Sequence, residues 1–182
     1  ETDGGPMKTL KLIGLVILSG LFTVAKHFYM KPSVADGQKA PEFMGLMPNG
    51  KALKMSDLRG QIVLLDFWGS WCGPCIREAP ELIKLHEKFA QAKFQQAEGF
   101  AIVSVAVDKN RERWLSTIER LGLLWPYHVL DPVNNLKFFD SPIANEYGVK
   151  QLPTRFLIDE KGLIVGVDMP FEAIDKYLEG RK

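Results

Sequence analysis

The chain has 182 residues, of which 46% are hydrophobic and 25% are charged, and its formal net charge is +1. These values are typical of a globular protein, so they exclude a disordered or collagen-like chain. They also give no basic excess of the kind that nucleic-acid binding requires. The two cysteines are too few for a network of disulfides or for a zinc site with four thiolates.

An uncharged apolar run from Leu12 to Ala25 lies near the start of the chain, with Lys8 and Lys11 just before it. A basic segment followed by a short apolar one is typical of a secretion signal. At about 1.5 Å per residue the run spans about 21 Å, less than the ~30 Å core of a bilayer. We interpret residues 1–35 as a few added residues followed by a signal peptide or membrane anchor, and residues 36–182 as the exported domain.

Strands and helices alternate in the domain that follows. The sequence Pro-Asn-Gly at 48–50 is a turn signal that predicts an N-terminal β-hairpin. Continuous apolar runs predict buried strands, and apolar residues at helical spacing predict helices. The predicted strands are 43–46, 51–54, 62–68, 100–107, 127–130, 155–158 and 163–167, and the predicted helical segments are 56–60, 72–96, 111–121, 143–147 and 171–179. This order favours an α/β fold whose central sheet combines parallel strands with a late antiparallel hairpin.

The two cysteines, Cys72 and Cys75, follow a predicted strand and open a predicted helix. Free N–H groups and the helix dipole stabilise a thiolate at a helix N-terminus, which is where Cys72 falls. Cys75 lies one turn further on, near enough to form a disulfide. Pro74 is compatible with the first turn, which needs no N–H donor. A Cys-x-x-Cys pair in this setting predicts a redox-active disulfide that needs no metal or other cofactor.

Two other uses of this cysteine pair are less favourable. A structural disulfide that closes so small a ring gains little loop entropy. A zinc site would need two more ligands, and the three histidines, His27, His86 and His128, are scattered along the chain.

Residues 71–75, Trp-Cys-Gly-Pro-Cys, resemble the active site of thioredoxin. The wider frame resembles the TlpA/ResA-like branch of extracytoplasmic thiol–disulfide oxidoreductases. Its matching segments are 37–43, 65–68, 77–80, 148–154 and 156–159. The resemblance implies a thioredoxin fold, with helices on a mixed sheet, and a helix-containing insertion at about 108–147. It also favours an uncleaved anchor at 12–25, which would bring the chain into contact with a membrane.

The resemblance further implies which residues surround the dithiol. Trp71, Gly73 and Pro74 would form its rim. Pro153 would have a cis peptide bond and face the dithiol, and Leu152 would contact the substrate. Leu152 is bulkier than the small or β-branched residue that is commoner at this position, so the range of substrates is an open question.

Asp66 stands where thioredoxins have a buried acid, six residues before the first cysteine. Burial should raise its pKa above about 3.9, so that it can exchange a proton with Cys75. Thioredoxins place a lysine near this acid on the next strand, whereas this chain has Ser104, so we expect Asp66 to lack a charge partner. Glu78 is a candidate modulator of the dithiol. Arg155 is interpreted as a solvated charge at the end of a strand.

The leading functional hypothesis is exchange of disulfides with exported proteins, by a monomer in the bacterial periplasm or on the outer face of the membrane. The Gly-Pro pair between the cysteines matches thioredoxin, whose potential of about −270 mV favours a reductant. The family analogy then implies a membrane electron donor of the DsbD or CcdA type, and cytochrome c maturation as the commonest role.

Two alternatives stay open. Residues 40–43, Ala-Pro-Glu-Phe, suggest a peroxidase of the redoxin superfamily, although its Pro-x-x-x-Thr/Ser-x-x-Cys frame does not occur in the sequence. A copper-chaperone-like binding module on the same fold is the non-enzymatic alternative, and it would normally need a wider cysteine spacing and a distal histidine.

Overall fold

The computed structural model describes residues 5–30, 32–133 and 140–182. Residues 1–4 and 31 of the predicted leader and residues 134–139 of the predicted insertion therefore lie outside the described residues. The chain divides into two units, Glu1–Lys31 and Pro32–Lys182. In the first unit a helix, α1, spans Gly5–Met30, and apolar side chains along it such as Leu12 and Phe22 are exposed. No helix within the described ranges has both the length and the hydropathy needed to cross a membrane.

The second unit contains seven strands and four further helices in its described residues. The strands are β1 (Met44–Leu46), β2 (Ala52–Lys54), β3 (Gln61–Trp68), β4 (Gly99–Asp108), β5 (Tyr127–Pro132), β6 (Thr154–Ile158) and β7 (Ile164–Val167). The helices are α2 (Gly73–Phe89), α3 (Arg111–Leu121), α4 (Pro142–Glu146) and α5 (Phe171–Glu179), with a 3-10 turn at Met55–Leu58.

All seven strands form one mixed sheet in the order β2-β1-β5-β4-β3-β6-β7. The pairs β3–β4 and β4–β5 are parallel, and β3–β6 and β6–β7 are antiparallel. The prediction of parallel core strands, an N-terminal hairpin and a late antiparallel hairpin is confirmed. The predicted insertion supplies the helices α3 and α4 together with a whole central strand, β5.

The prediction that the first long helix of the domain runs from 72 to 96 is wrong at its C-terminal end, because α2 ends at Phe89. At about 1.5 Å per residue the helix is about as long as the strand β3 that it covers. The chain must then return to the start of β4, where Gly99 pairs with Gln61. Residues 90–98 make that return, and the Glu98 amide donates to the carbonyl of Gly60 at 2.8 Å.

Buried side chains form two clusters, one on each face of the sheet. Leu64 and Trp68 of β3 belong to the cluster beneath α2 and α5, which we call the α2 face. Leu65 and Phe67 belong to the cluster on the opposite face. Because side chains alternate along a strand, Asp66 lies on the α2 face between Leu64 and Trp68.

Candidate active site

The two cysteines form a disulfide at the start of α2, with their Cα atoms 5.3 Å apart. Cys72 is the N-cap residue of the helix, and its Sγ accepts a hydrogen bond from the Cys75 amide at 3.3 Å. Both cysteines are buried, with 4% and 6% of their surface exposed, whereas Gly73 and Pro74 are exposed above them. The predicted placement of Cys72 at a helix N-terminus is confirmed. An amide N–H that already points at this sulfur will also stabilise its thiolate.

The loop before β6 carries the other predicted rim residues. The peptide bond between Leu152 and Pro153 is cis, as the resemblance implied. Both residues are partly buried, and the Leu152 side chain packs against the clusters on both faces of the sheet. The cluster beneath α2 includes both cysteines, so Leu152 and the disulfide border the same packed region.

Asp66 is almost fully buried, with 3% of its surface exposed. It lies between two neighbouring strands, paired in register with Ser104 of β4 and with Arg155 of β6. Side chains of directly paired residues lie on the same face of a sheet. All three therefore lie on the α2 face, and the expected position of Ser104 beside the acid is confirmed.

The interpretation of Arg155 as a solvated charge is wrong. Only 9% of the residue is exposed. Its Nη1 donates to the Oε2 of Glu78 at 2.5 Å, and its guanidinium lies 4.4 Å from the centre of the Phe171 ring. The expectation that Asp66 lacks a charge partner is also wrong, since a cation lies beside it on β6 rather than on β4. Glu78, the predicted modulator, is the carboxylate that holds this cation.

The pKa of Asp66 is raised from 3.8 to about 7. Burial is the largest cause, because it disfavours the charged carboxylate. The positive charge of Arg155 opposes the rise, and the negative charges of Glu78 and Asp168 add to it. The expected direction of the pKa is thus confirmed, and the carboxyl can gain or lose a proton near neutral pH.

Comparisons with known proteins agree with this geometry. Residues 37–167 match the AhpC/TSA family. The thiol-disulfide oxidoreductase ResA of Geobacillus thermodenitrificans is 35% identical over 97% of this chain and 95% of that protein. The chain belongs to the ResA-like thiol–disulfide oxidoreductases. It is therefore an enzyme that exchanges thiols and disulfides through Cys72 and Cys75.

Solved structures support the fold of this ResA-like enzyme. The thioredoxin domain of a thiol-disulfide oxidoreductase from Bacteroides vulgatus superimposes with a TM-score of 0.68 at 28% identity, covering 80% of this chain and 99% of that one. A thiol:disulfide interchange protein, DsbE, from Chlorobium tepidum gives a TM-score of 0.63 at 30% identity, covering 81% and 98%. The chain thus spans nearly the whole of both relatives.

Sequence reasoning missed how the loop that carries Trp71 is held in this ResA-like enzyme. The Ser70 amide donates to the Asp108 carboxylate at 2.9 Å, and the Trp71 indole donates to the Val107 carbonyl at 2.9 Å. Arg113 donates to the Ser70 carbonyl at 3.4 Å. The order of the strands could have predicted these contacts. Parallel neighbours such as β3 and β4 have their carboxyl ends at one edge of the sheet, so the residues that follow the two strands lie close together.

Asp66 also belongs to a line of polar residues that crosses four adjacent strands. Arg155, Asp66, Ser104 and His128 are paired in register from β6 to β5, and all four are buried; we call them the polar row. Trp125 donates from its indole to the Ser104 hydroxyl at 3.1 Å and stacks on His128 with ring centres 5.4 Å apart. Burial lowers the pKa of His128 to about 4, so its ring is neutral at pH 7.

Proposed function

We propose that this enzyme acts outside the cytoplasm as a monomeric reductant of protein disulfides. The proposal is based on the surroundings of the two cysteines. Cys72 caps a helix with an amide directed at its sulfur, and Asp66, whose pKa is near neutral, lies on the sheet beneath the same helix. A helix-terminal thiolate is a good nucleophile, and a carboxyl that titrates near neutral pH suits proton transfer.

The first step is the attack of the Cys72 thiolate on one sulfur of a substrate disulfide. A bond forms between the Cys72 Sγ and that sulfur, and the other substrate sulfur leaves as a thiolate. The exposed backbone at Gly73 and Pro74, with Leu152 and Pro153, would receive the substrate chain. Trp71, held by its bond to the Val107 carbonyl, would form one side of the rim.

The second step resolves the mixed disulfide. The Cys75 thiol gives its proton to the Asp66 carboxylate, and the resulting thiolate attacks the Cys72 Sγ. The Cys72–Cys75 bond forms, and the second substrate sulfur leaves as a thiolate. Two electrons pass from the dithiol to the substrate, and the oxidised enzyme is the state that the structure contains.

Location, electron source and pathway complete the proposal. The apolar run 12–25 after Lys8 and Lys11 supports export, as a signal peptide or an anchor. A reductant in an oxidising compartment must be re-reduced from across the membrane, so we include a donor of the DsbD or CcdA type. The resemblance to ResA and DsbE supports cytochrome c maturation as the pathway.

Redox titration in glutathione buffers tests the direction of electron flow. The proposal expects a midpoint near the thioredoxin value of about −270 mV, and a midpoint near the DsbA value of about −120 mV would make the enzyme an oxidant. Reduction of insulin by the wild type and by Cys72→Ser tests the chemistry itself. Cys72→Ser should abolish it, while the unrelated surface change Ser116→Ala should not.

A further inference from the structure

Arg155 has no role in the exchange steps described above, yet it is a buried cation at the dithiol end of the sheet. Buried charges are costly unless they are paired. Arg155 is held on one side by Glu78 at 2.5 Å and on another by the Phe171 ring at 4.4 Å. Its backbone is fixed as well, because the Arg155 amide donates to the Asp168 carboxylate at 2.8 Å.

The same residue is the cross-strand partner of Asp66. Directly paired residues on antiparallel strands have Cβ atoms about 4.5–5.5 Å apart, within the range at which charges interact strongly in a buried site. We propose that Arg155 is a positioning residue of the dithiol site, which places a fixed positive charge beside the Asp66 carboxyl. This inference rests on the proposed role of Asp66 in exchange.

The other groups that face Asp66 do not replace this charge. Glu78 of α2 and Asp168 after β7 are both acidic and oppose loss of the proton from Asp66. Ser104 of β4 does not titrate, and Cys75 lies in the disulfide. In the part of the chain that the structure describes, Arg155 is the one cation whose charge acts on Asp66. Without it, the pKa of Asp66 would be higher still, so less of the carboxylate that takes the proton of Cys75 would be present at neutral pH.

The chain offers a matched control in Arg181. This arginine also pairs with a glutamate, Glu160, at 2.8 Å and also lies over an aromatic ring, that of Tyr177, at 4.9 Å. It does not act on Asp66. Replacing either arginine with methionine removes one ion pair and one ring contact, but only Arg155→Met should change the titration of Asp66.

The test is a ¹³C NMR titration of the Asp66 carboxyl in the oxidised protein, in which neither cysteine titrates. Arg155→Met should move the midpoint upward by about one pH unit or more. Arg181→Met should leave the midpoint in place, and Arg155→Lys should lie closer to the wild type than Arg155→Met does. An unchanged midpoint in Arg155→Met would overturn the proposal.

Glu78→Gln provides an independent arm, since this half-exposed side chain can change without burying a new charge. It removes a negative charge and leaves Arg155 in place, so the midpoint of Asp66 should move downward. This shift would report the charge of Glu78 itself. If Arg155→Met does not fold, Arg155→Gln, which removes the positive charge and keeps a polar side chain, replaces it, and an unchanged midpoint there would overturn the inference. The titration does not depend on activity. A shifted midpoint with an unchanged pH profile of disulfide reduction would leave Arg155 in its role and refute the proton-transfer step.

Discussion

The two faces of the central sheet differ sharply at the same depth in the fold. On the α2 face, the polar row of Arg155, Asp66, Ser104 and His128 crosses β6, β3, β4 and β5. One residue back along β3, the opposite face carries the side chains of Phe156, Leu65, Val103 and Tyr127 in the same four strands. One face is packed for stability, whereas the other gives up apolar burial at the position where we propose that the dithiol has its proton acceptor.

The largest effect should come from the opposite face. Leu65 is fully buried, so Leu65→Ala should lower the free energy of unfolding by about 2–5 kcal/mol through lost burial and a cavity. Urea unfolding measures this, and the folded fraction should still reduce insulin normally. Leu46→Ala, at a site 61% exposed, is the control and should stay within about 0.5 kcal/mol of the wild type. Equal losses for the two variants would contradict the assignment of Leu65 to the core.

Replacing its neighbour in sequence, Asp66, should raise the free energy of unfolding at neutral pH instead of lowering it. In the unfolded chain the pKa is near 3.8, and in the folded enzyme it is about 7. The folded state therefore binds the proton more tightly, and its stability falls as pH rises from 4 to 7. Asp66→Asn removes this cost, so it should equal the wild type near pH 4 and exceed it by at most about 4 kcal/mol above pH 7.

Urea unfolding of both proteins at pH 4.5 and pH 8 measures the difference. The alternative, a carboxylate that is satisfied locally, would make Asp66→Asn destabilising and independent of pH. Asp66→Ala should share the pH dependence, with some loss of packing.

His128, at the other end of the polar row, should make the stability of the fold depend on pH in the opposite direction. Burial lowers the pKa of His128 from 6.5 to about 4, so the unfolded state binds the proton more tightly. The stability that the folded protein has while the His128 ring is neutral is present in full above pH 6.5, and it is lost as pH falls through 4. In an Asp66→Asn background, His128→Leu should reduce the acid-induced loss by at most about 3 kcal/mol. If the stability of the two proteins fell equally with falling pH, His128 would contribute nothing to the acid-induced loss.

The smallest effect should come from the middle of the row. Ser104→Ala leaves the buried indole N–H of Trp125 without its acceptor, which should cost about 1 kcal/mol. Ser116→Ala, which removes an exposed hydroxyl bonded to the Arg113 carbonyl, should cost less. If Ser104→Ala also shifted the titration midpoint of Asp66, then Ser104 of β4, as well as Arg155 of β6, would influence the pKa of this acid.

Much of the fold could be predicted because its signals are local. Helix α3 begins after Asn110, whose side chain accepts from the Arg113 amide, and ends at Gly122, which has a φ of 67°. Both are residue types that favour those positions, and the predicted bounds of α3 are confirmed. The end of α2 carried no such signal, since the length of β3 and the start of β4 determine it.

The dithiol could be predicted from its motif, but its electrostatic surroundings could not. The Glu78–Arg155 pair joins residues 77 positions apart and exists only because β6 pairs with β3. The resemblance places a lysine on β4, where this chain has Ser104, whereas the cation Arg155 lies on the other neighbouring strand, β6. The register Asp66–Arg155 would have revealed it, but register follows from the assembled sheet rather than from any one strand.

In the proposed exchange reaction, Asp66 accepts the proton of Cys75 when the mixed disulfide is resolved. Single-turnover kinetics with a peptide disulfide measure this directly, as the rate of release of the second substrate thiol against pH. In the wild type the rate should rise with a midpoint near pH 7, the pKa of Asp66. In Asp66→Asn the rate at pH 7 should fall, and the midpoint should move toward the ordinary thiol range of about 8.5. The same rate and midpoint in both proteins would contradict the account.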